Sequence, residues 1–420
     1  MNRHRLFQYI LTTWLIACCF MTAGSALAVM IKVVDADSGA PIEGAIITAD
    51  SQVIRTDADG TASLPMPISR LLVRAAGHGR FDQSEKDTDN IVVRLPKLIP
   101  KALYLSFYGI GDRELRQSAL KLLDETELNA LVIDVKGDRG LIPYQSSIPL
   151  AAEVGAQKTI TVSDMPGLIA SLHAKGIYTV ARVVAFKDDP LARNRPEWAV
   201  HTSGGGVWSD REGMAWSDPF RHEVWNYLID IAIEAARLGF DEIQFDYVRF
   251  PDEPGLVFSK RSNQENRVEA IAGFLSLAAK RLAPYNVFVA ADLFGYTLWN
   301  KNDTDIGQRL EDLAPIVDYI CPMLYPSTFQ YGIPGYTDPV AHPFEIVSLS
   351  LTNAQKRTGL SALHFRPWLQ AFRDYAFDRR PFGAEQISDQ IRAAKSFGSD
   401  GWMLWNPRNV YTDKGLRKGK

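Results

Sequence analysis

The sequence predicts an α/β protein in which a (β/α)8 TIM barrel follows a small N-terminal β-sandwich domain. Up to Pro96, short strand-like runs are separated by turn signals. From Ala102 onward, strand-like runs alternate with amphipathic helical stretches, which is typical of a parallel sheet. Eight such units over ~300 residues match the barrel. A doubly wound open sheet is the alternative, but the run after the first strand is a poor match to a glycine-rich phosphate loop.

Length and composition agree with this organisation and exclude one class of partner. The chain has 420 residues, of which 46% are hydrophobic and 23% are charged, as expected for a globular protein with a sizeable core. Its formal net charge is −3, and basic residues cluster only in the short tail, 411–420. Nucleic-acid binding requires concentrated positive charge, so we expect no nucleic-acid partner.

Residues 1–28 have the pattern of a cleaved export signal. Arg3 and Arg5 precede an apolar run over 6–20, and Ser25-Ala26-Leu27-Ala28 resembles a cleavage site. The run is shorter than the ~20 residues of a membrane helix. We therefore expect an exported protein, periplasmic or extracellular, with no membrane span after cleavage. Cleavage would remove two arginines and no acid, which changes the formal charge from −3 to −5.

Two alternatives to a cleaved signal remain open. The segment could be retained as an anchor, or Leu15-Ile16-Ala17-Cys18 could act as a lipobox that places a lipid on Cys18. The residues after Cys18 stay apolar, unlike a lipoprotein tether. After cleavage at Ala28, Cys321 is the single remaining cysteine, so no internal disulfide is possible. The oligomeric state is not predicted.

Residues 29–96 predict the β-sandwich domain. Strand-like runs lie at 31–34, 45–49, 71–75 and 91–95, with turns at 37–39 and 57–60. The runs Ser38-Gly39-Ala40-Pro41-Ile42-Glu43-Gly44-Ala45 and 56–60 resemble those of carboxypeptidase regulatory-like domains. That resemblance implies a non-catalytic accessory. The aspartates at 57–60 are interpreted as turn residues rather than as a calcium loop.

Residues 97–410 predict the barrel. The predicted strands are 102–108, 130–136, 178–186, 242–250, 287–294, 319–325, 364–372 and 402–406. Predicted helices include 164–175, 221–238, 267–282 and 384–397. Gly176, Gly239 and Gly398 follow helical stretches just before a strand, as expected for helix ends.

The side-chain alternation of a strand predicts which carboxylates face the barrel axis. In the fourth strand Ile243 and Phe245 suit the helix-facing side, so Asp246 points inward with Gln244. The same argument directs Asp292 and Asp134 inward from the fifth and second strands. Active sites of such barrels lie at the C-terminal strand ends. We therefore predict Asp246, Asp292 and Asp134 as catalytic residues, the alternative being structural ion pairs with Arg182, Lys136 and Arg249.

Aromatic and polar residues at the same strand ends predict a carbohydrate-binding cleft, because flat rings stack on the apolar faces of sugars. The predicted substrate-binding residues are Arg182, Tyr247, Arg249, Trp299, Tyr325, Trp368, Gln370 and Trp405. Tyr108, Trp198, Trp208 and Trp216 also follow strands. We expect no metal site and no cofactor, because the histidines show neither H-x-H nor H-E-x-x-H spacing.

The barrel segment resembles a bacterial glycosyl-hydrolase family catalogued as domain of unknown function 4015. The resemblance rests on Gly239-Phe240-Asp241-Glu242-Ile243-Gln244-Phe245-Asp246-Tyr247-Val248-Arg249-Phe250-Pro251, and on motifs at 134–137, 181–188, 292–295, 322–326 and 367–370. It implies a sugar-active barrel related to retaining hydrolases. Family-eighteen chitinases place a catalytic Glu where Val248 stands, so a chitinase mechanism is not expected.

Together these observations predict a glycoside hydrolase or related transglycosylase. In this hypothesis Asp246 is the nucleophile or base, Asp292 is the general acid, and Asp134 and Arg182 support them. The substrate would be an extracytoplasmic polysaccharide or oligosaccharide. The alternative from another class is a non-catalytic polysaccharide-binding protein of the cell envelope. A metal-dependent hydrolase is a weaker third alternative.

Overall fold

A computed structural model describes residues 28–50, 52–65, 68–84 and 90–419, and it confirms the predicted fold class. Apart from Ala28, which opens the first strand, the predicted export signal and Cys18 lie outside the described residues. None of the helices in the described ranges is both long enough and apolar enough to cross a bilayer.

The N-terminal domain consists of two sheets that enclose a small apolar core. Its strands are β1 (Ala28–Asp35), β2 (Ile46–Ala49), β3 (Gln52–Arg55), β4 (Thr61–Pro65), β5 (Arg70–Arg74), β6 (Arg80–Ser84) and β7 (Asn90–Leu95). One sheet has the order β4-β1-β7 and the other β3-β2-β5-β6. The core between them contains Ile31, Val33, Ile47, Val73 and Val93, all fully buried.

The turn at 57–60 uses its first carboxylate for local hydrogen bonds. Asp57 Oδ1 accepts from the backbone N–H of Asp59 at 3.0 Å and of Thr61 at 2.8 Å. Asp57 Oδ2 accepts from the Thr61 hydroxyl at 2.8 Å. These bonds are those of an Asx turn, and they agree with the turn interpretation of this aspartate cluster.

Eight parallel strands form the closed barrel. They are β8 (Lys101–Leu105), β9 (Ala130–Lys136), β10 (Tyr178–Val184), β11 (Glu242–Asp246), β12 (Phe288–Phe294), β13 (Tyr319–Met323), β14 (Trp368–Gln370) and β15 (Trp402–Trp405). Neighbours in sequence are neighbours in the barrel, and β15 pairs with β8. This topology places all eight C-terminal strand ends at one mouth.

Helices surround the barrel and cover its outer apolar face. They are α1 (Phe107–Gly111), α2 (Arg113–Glu125), α3 (Pro149–Glu153), α4 (Met165–Ala174), α5 (Asp189–Asn194), α6 (His222–Arg237), α7 (Gln264–Leu282), α8 (Leu310–Leu313), α9 (Pro343–Thr358) and α10 (Ala384–Phe397). Ile243 and Phe245 pack in this outer core, whereas Ala290 packs inside the barrel. The predicted alternation of β11 and β12 is therefore the observed one.

Six of the eight strands end before their predicted last residue, and the two largest differences, in β8 and β11, shape the mouth. After β8, Ser106 caps α1 by accepting the Gly109 N–H at 3.1 Å, so residues 107–108 are helical. After β11, Tyr247 has φ +48°. A non-glycine residue in this region carries backbone strain that its surroundings must stabilise.

A buried ion cluster fills the barrel interior near its N-terminal end. Arg366 donates to Glu242 Oε2 at 2.5 Å and to Asp400 Oδ2 at 2.7 Å, and its guanidinium lies 3.9 Å from the centre of the Tyr319 ring. All three charged side chains are at most 1% exposed. Two carboxylates thus depend on one guanidinium.

Replacing Arg366 by methionine should lower the free energy of unfolding by about 3–5 kcal/mol, because it leaves two buried carboxylates without their cation. Urea unfolding followed by circular dichroism measures this loss. The matched control is Arg392→Met, at a 61% exposed side chain paired with Asp389. That change should cost about 0–1 kcal/mol. Equal losses in the two variants would contradict the assigned role of Arg366.

The N-terminal domain docks on the end of the barrel opposite to the mouth. Arg74 pairs with Asp318 at 3.2 Å, just before β13, and Arg80 pairs with Asp241, just before β11. The Gly77 N–H donates to the Tyr319 hydroxyl at 3.2 Å. Since these contacts all lie at the N-terminal strand ends, the domain leaves the mouth open.

Candidate active site

A cleft of about 550 Å³ opens at the C-terminal mouth of the barrel. We call it the central basin. Eight predicted site residues line it, namely Arg182, Asp246, Tyr247, Arg249, Asp292, Tyr325, Trp368 and Trp405. Its volume falls within the ~300–1,000 Å³ that is usual for ligand sites.

Arg182, from β10, holds Asp246 at the floor of the central basin. Its Nε and Nη2 donate to Asp246 Oδ2 at 3.0 and 2.5 Å. The other oxygen, Asp246 Oδ1, accepts the backbone N–H of Tyr247 at 2.6 Å. The Arg182 side chain is fully buried and that of Asp246 is 9% exposed. The buried guanidinium thus places its positive charge directly beside this carboxylate.

Asp134 is also bound to Arg182, but it has no free oxygen. Asp134 Oδ1 accepts from Arg182 Nη1 at 2.7 Å. Its Oδ2 accepts from the Tyr104 hydroxyl at 2.9 Å and from the Phe107 N–H at 3.0 Å. Burial raises the pKa of Asp134 to about 6, against the lowering effect of Arg182. Its contacts are those of a positioning residue that fixes the guanidinium.

Asp292, at the end of β12, has a different environment. Its Oδ1 accepts the indole N–H of Trp368 at 2.7 Å, whereas its Oδ2 has no hydrogen-bond partner in the described protein. The residue is 1% exposed and lines the central basin. Burial, followed by the nearby charge of Asp246, raises the pKa of Asp292 well above its usual range.

The two carboxyl groups therefore have different surroundings. Asp246 pairs with the guanidinium of Arg182, whereas Asp292 has no cationic partner in the described residues and burial raises its pKa. Environments that separate the proton affinities of two neighbouring acids provide one acid and one base. The site can thus donate a proton from one side chain and offer a negative charge from the other.

Aromatic rings form the walls of the central basin. Trp405 stacks on Tyr104 with ring centroids 4.1 Å apart, and it meets Trp368 edge-to-face at 5.4 Å. The guanidinium of Arg182 lies 5.0 Å from the Trp405 ring centre. Tyr325 contacts Phe372 edge-to-face at 5.6 Å. These contacts fix the rings before a ligand arrives.

Arg249 extends the cleft toward the loop after β10. Its guanidinium lies 4.9 Å from the Trp216 ring centre and 5.4 Å from that of Tyr247. It approaches Asp252 only at 4.0 Å. Arg249 is thus held by aromatic faces, not by the aspartates of the barrel floor.

The structure does not bring Trp299 and Gln370 to the central basin. The Trp299 indole N–H donates to Ser350 Oγ of α9 at 2.9 Å, on the outside of the barrel. Gln370 is fully buried and uses its amide on Ser327, accepting the Ser327 N–H at 3.0 Å and donating to its hydroxyl at 2.7 Å. Neither side chain has a free group directed at a sugar in the cleft.

The ion-pair alternative describes one of the three aspartates fully. It fits Asp134, whose oxygens are all used, and it fits Asp246 only in part, because Asp246 also lines the basin. It does not fit Asp292, which has no cationic partner in the described residues. Lys136 instead pairs with Asp188 at 2.9 Å, away from these groups.

Two residues of the network were not among the predicted site residues. Tyr104 shares the inward phase of Ala102 on β8, so alternation alone could have identified it. Asp138 follows β9 by two residues and accepts from Arg182 Nη2 at 2.8 Å. No periodic pattern extends into that turn, so strand alternation does not predict the direction of the Asp138 side chain.

The raised pKa of Asp292 should make the stability of the folded protein depend on pH. Its pKa is raised in the folded state above the usual 3.8, so the stability that its proton provides is complete below about pH 3.8 and is lost as the pH rises through the folded-state value. Asp292→Asn cannot ionise. Its melting temperature should therefore rise relative to wild type between pH 4 and pH 8, as scanning calorimetry would measure. A constant difference over that interval would contradict the raised pKa.

Comparison with known proteins identifies the family of the barrel segment. Residues 102–411 match the profile of a family described as "Putative glycosyl hydrolase domain". No curated protein matches the chain significantly.

Several solved structures are similar to parts of this chain. The glycoside hydrolase domain of PgaB (BpsB) from Bordetella bronchiseptica is 14% identical, with a TM-score of 0.50 over 74% of this chain and 95% of that one. A hypothetical protein from Ruminiclostridium thermocellum is 38% identical over 45% of this chain and 96% of its own, with a TM-score of 0.41. A class V chitinase from Pseudomonas fluorescens is 12% identical, with coverages of 74% and 96% and a TM-score of 0.45.

Proposed function

The chain belongs to this glycosyl hydrolase family, and we propose that it hydrolyses the glycosidic bonds of an extracytoplasmic polysaccharide or oligosaccharide with Asp246 and Asp292 as its paired carboxyl groups. The proposed location follows from the export signal predicted at residues 1–28. The proposed residues follow from the contacts at the mouth of the barrel.

In this proposal Asp292 is the general acid. The observation that carries the proposal is its Oδ2, which is buried at the cleft without a hydrogen-bond partner among the described residues, while Asp246 nearby is paired with Arg182. Asp292 donates its proton to the glycosidic oxygen as the bond from the anomeric carbon to that oxygen breaks. The departing sugar thus leaves as an alcohol.

Asp246 supplies the negative charge that the oxocarbenium-like transition state requires. It either attacks the anomeric carbon itself or removes a proton from the water that attacks. In both routes the hydroxyl group of water ends on the anomeric carbon. If Asp246 attacks, the Asp292 carboxylate then takes the proton of the water that hydrolyses the glycosyl ester and is restored as the acid. If Asp246 activates water, it holds that proton, and exchange with solvent deprotonates Asp246 and reprotonates Asp292. Arg182 holds Asp246 in position, and Asp134 holds Arg182 in place.

A screen of soluble polysaccharides tests the proposed function. Purified protein is incubated with dextran, pullulan, glycol chitosan and carboxymethyl cellulose, and with envelope and exopolysaccharide fractions, and new reducing ends are measured. We expect release from at least one of them by the wild type and none by the double variant Asp246→Asn/Asp292→Asn. If no fraction yields reducing ends while one retards the protein in affinity electrophoresis, the chain is a binding protein and the hydrolase proposal is wrong.

A further inference from the structure

A second depression lies beside the central basin at the mouth of the barrel. We call it the side basin; it has a volume of about 230 Å³ and is lined by Tyr108, Asp138 and Arg139, among others. Trp405 and Pro407 line both basins and form the boundary between them. The two depressions are therefore continuous parts of one surface.

The side basin presents an exposed aromatic ring. In the described part of the chain, three aromatic side chains are largely exposed, namely Tyr108 at 57%, Tyr375 at 49% and Tyr331 at 90%. Tyr108 lines the side basin, Tyr375 lines the central basin, and Tyr331 lines neither. A single exposed ring is common on protein surfaces. Exposure alone therefore does not indicate a binding role for Tyr108, whereas its position beside the central basin and its rigid backbone do.

The backbone that carries Tyr108 is fixed from several directions. The Phe107 N–H donates to Asp134 Oδ2 at 3.0 Å, and the Phe107 carbonyl accepts from the Thr161 hydroxyl at 3.1 Å. The Phe107 ring meets that of Tyr108 edge-to-face at 4.9 Å. A platform held in advance loses little conformational entropy on binding.

Asp138 connects the side basin to the catalytic network. Arg182 Nη2 donates both to Asp138 and to Asp246. The Asp138 side chain remains 40% exposed, so it can accept hydrogen bonds from hydroxyl groups. One guanidinium thus supports a polar group in each basin.

From this geometry we propose that the side basin binds further sugar units of the same carbohydrate chain whose glycosidic bond lies in the central basin, with Tyr108 as the stacking platform. The inference rests on the proposed function for its occupant. A flat ring over an apolar sugar face and a carboxylate that accepts hydroxyl protons are the groups such a unit requires. The substrate is therefore a chain long enough to pass the Trp405–Pro407 boundary.

Affinity electrophoresis in gels that contain the polysaccharides of the screen tests this inference, with all variants in the Asp246→Asn background to prevent cleavage. Tyr108→Ala should raise the apparent dissociation constant three- to tenfold, and Tyr108→Trp should retain the affinity. Tyr331→Ala is the matched control, and it should bind as the background protein does. Circular dichroism confirms that each variant is folded.

The inference is overturned if Tyr108→Ala and Tyr331→Ala bind equally, or if no polysaccharide retards the Asp246→Asn protein. Failure of the proposed function gives a different result, because the wild type then releases no reducing ends even from a polymer that Tyr108 helps to bind. The two failures are thus distinguishable.

Discussion

Asp246→Asn is expected to lower kcat by about 10⁴-fold or more on any polysaccharide that the wild type cleaves. The amide keeps the shape of the carboxylate and can still accept from Arg182, but it carries no negative charge. The transition state then loses both its nucleophile or base and its main electrostatic partner. The barrel should remain folded, because Arg182 keeps its ion pairs with Asp134 and Asp138 when the charge of Asp246 and the bond from the Tyr247 N–H are lost. Initial rates of reducing-end release measure the effect.

The matched control is Asp124→Asn, at a 57% exposed side chain that pairs with Lys175 on the outer helices. This variant should turn over like the wild type. The anomeric configuration of the wild-type product separates the two roles open to Asp246, since retention requires attack by this carboxylate and inversion requires attack by water. Substantial turnover in folded Asp246→Asn would remove Asp246 from the mechanism.

Asp292→Ala is expected to lower kcat by about 10²–10⁴-fold on natural linkages, which is the usual contribution of a general acid. The loss should depend on the leaving group. An aryl glycoside with a strongly acidic phenol needs little protonation, so its hydrolysis should change far less. Both losses of kcat, on the natural linkage and on the aryl glycoside, are measured with the same enzyme preparation. A much larger loss on the natural linkage identifies Asp292 as the general acid.

The pH dependence of activity is a second test of Asp292 as the general acid. Activity requires its protonated form, so the wild-type kcat/KM should fall as the pH rises through the elevated pKa of Asp292. Asp292→Ala should lack this alkaline decline. Equal losses on both kinds of leaving group, with an unchanged pH profile, would assign the proton donor to another residue.

The sequence was sufficient to predict the barrel and the carboxylates because strand alternation is a strong periodic pattern. β9 spans the predicted residues, and Asp246 and Asp292 lie where the alternation of Ile243, Phe245 and Leu293 places them. The same pattern could not distinguish Asp134 from the other two. Whether an inward carboxylate reaches a ligand depends on which donors surround it, and those come from distant strands.

Loop residues were predicted less well, for a physical reason. Trp299 follows β12 closely, but the chain turns through a short 3-10 helix, Gly295–Leu298, and directs the indole to α9. Gln370 lies on a strand, yet its amide is used within the protein by Ser327. The alternation of a strand predicts neither of these hydrogen-bond partners. Both depend on the path of the irregular segments that follow β12 and β13.

The central claim is that Asp292 is protonated and Asp246 is ionised in the resting protein. Difference infrared spectroscopy at neutral pH tests it without any substrate, because a protonated carboxyl group has a C=O stretching band that an ionised one lacks. The account predicts that Asp292→Asn loses one such band relative to wild type and that Asp246→Asn retains it. Loss of the band in Asp246→Asn, or an unchanged spectrum in Asp292→Asn, would contradict the account.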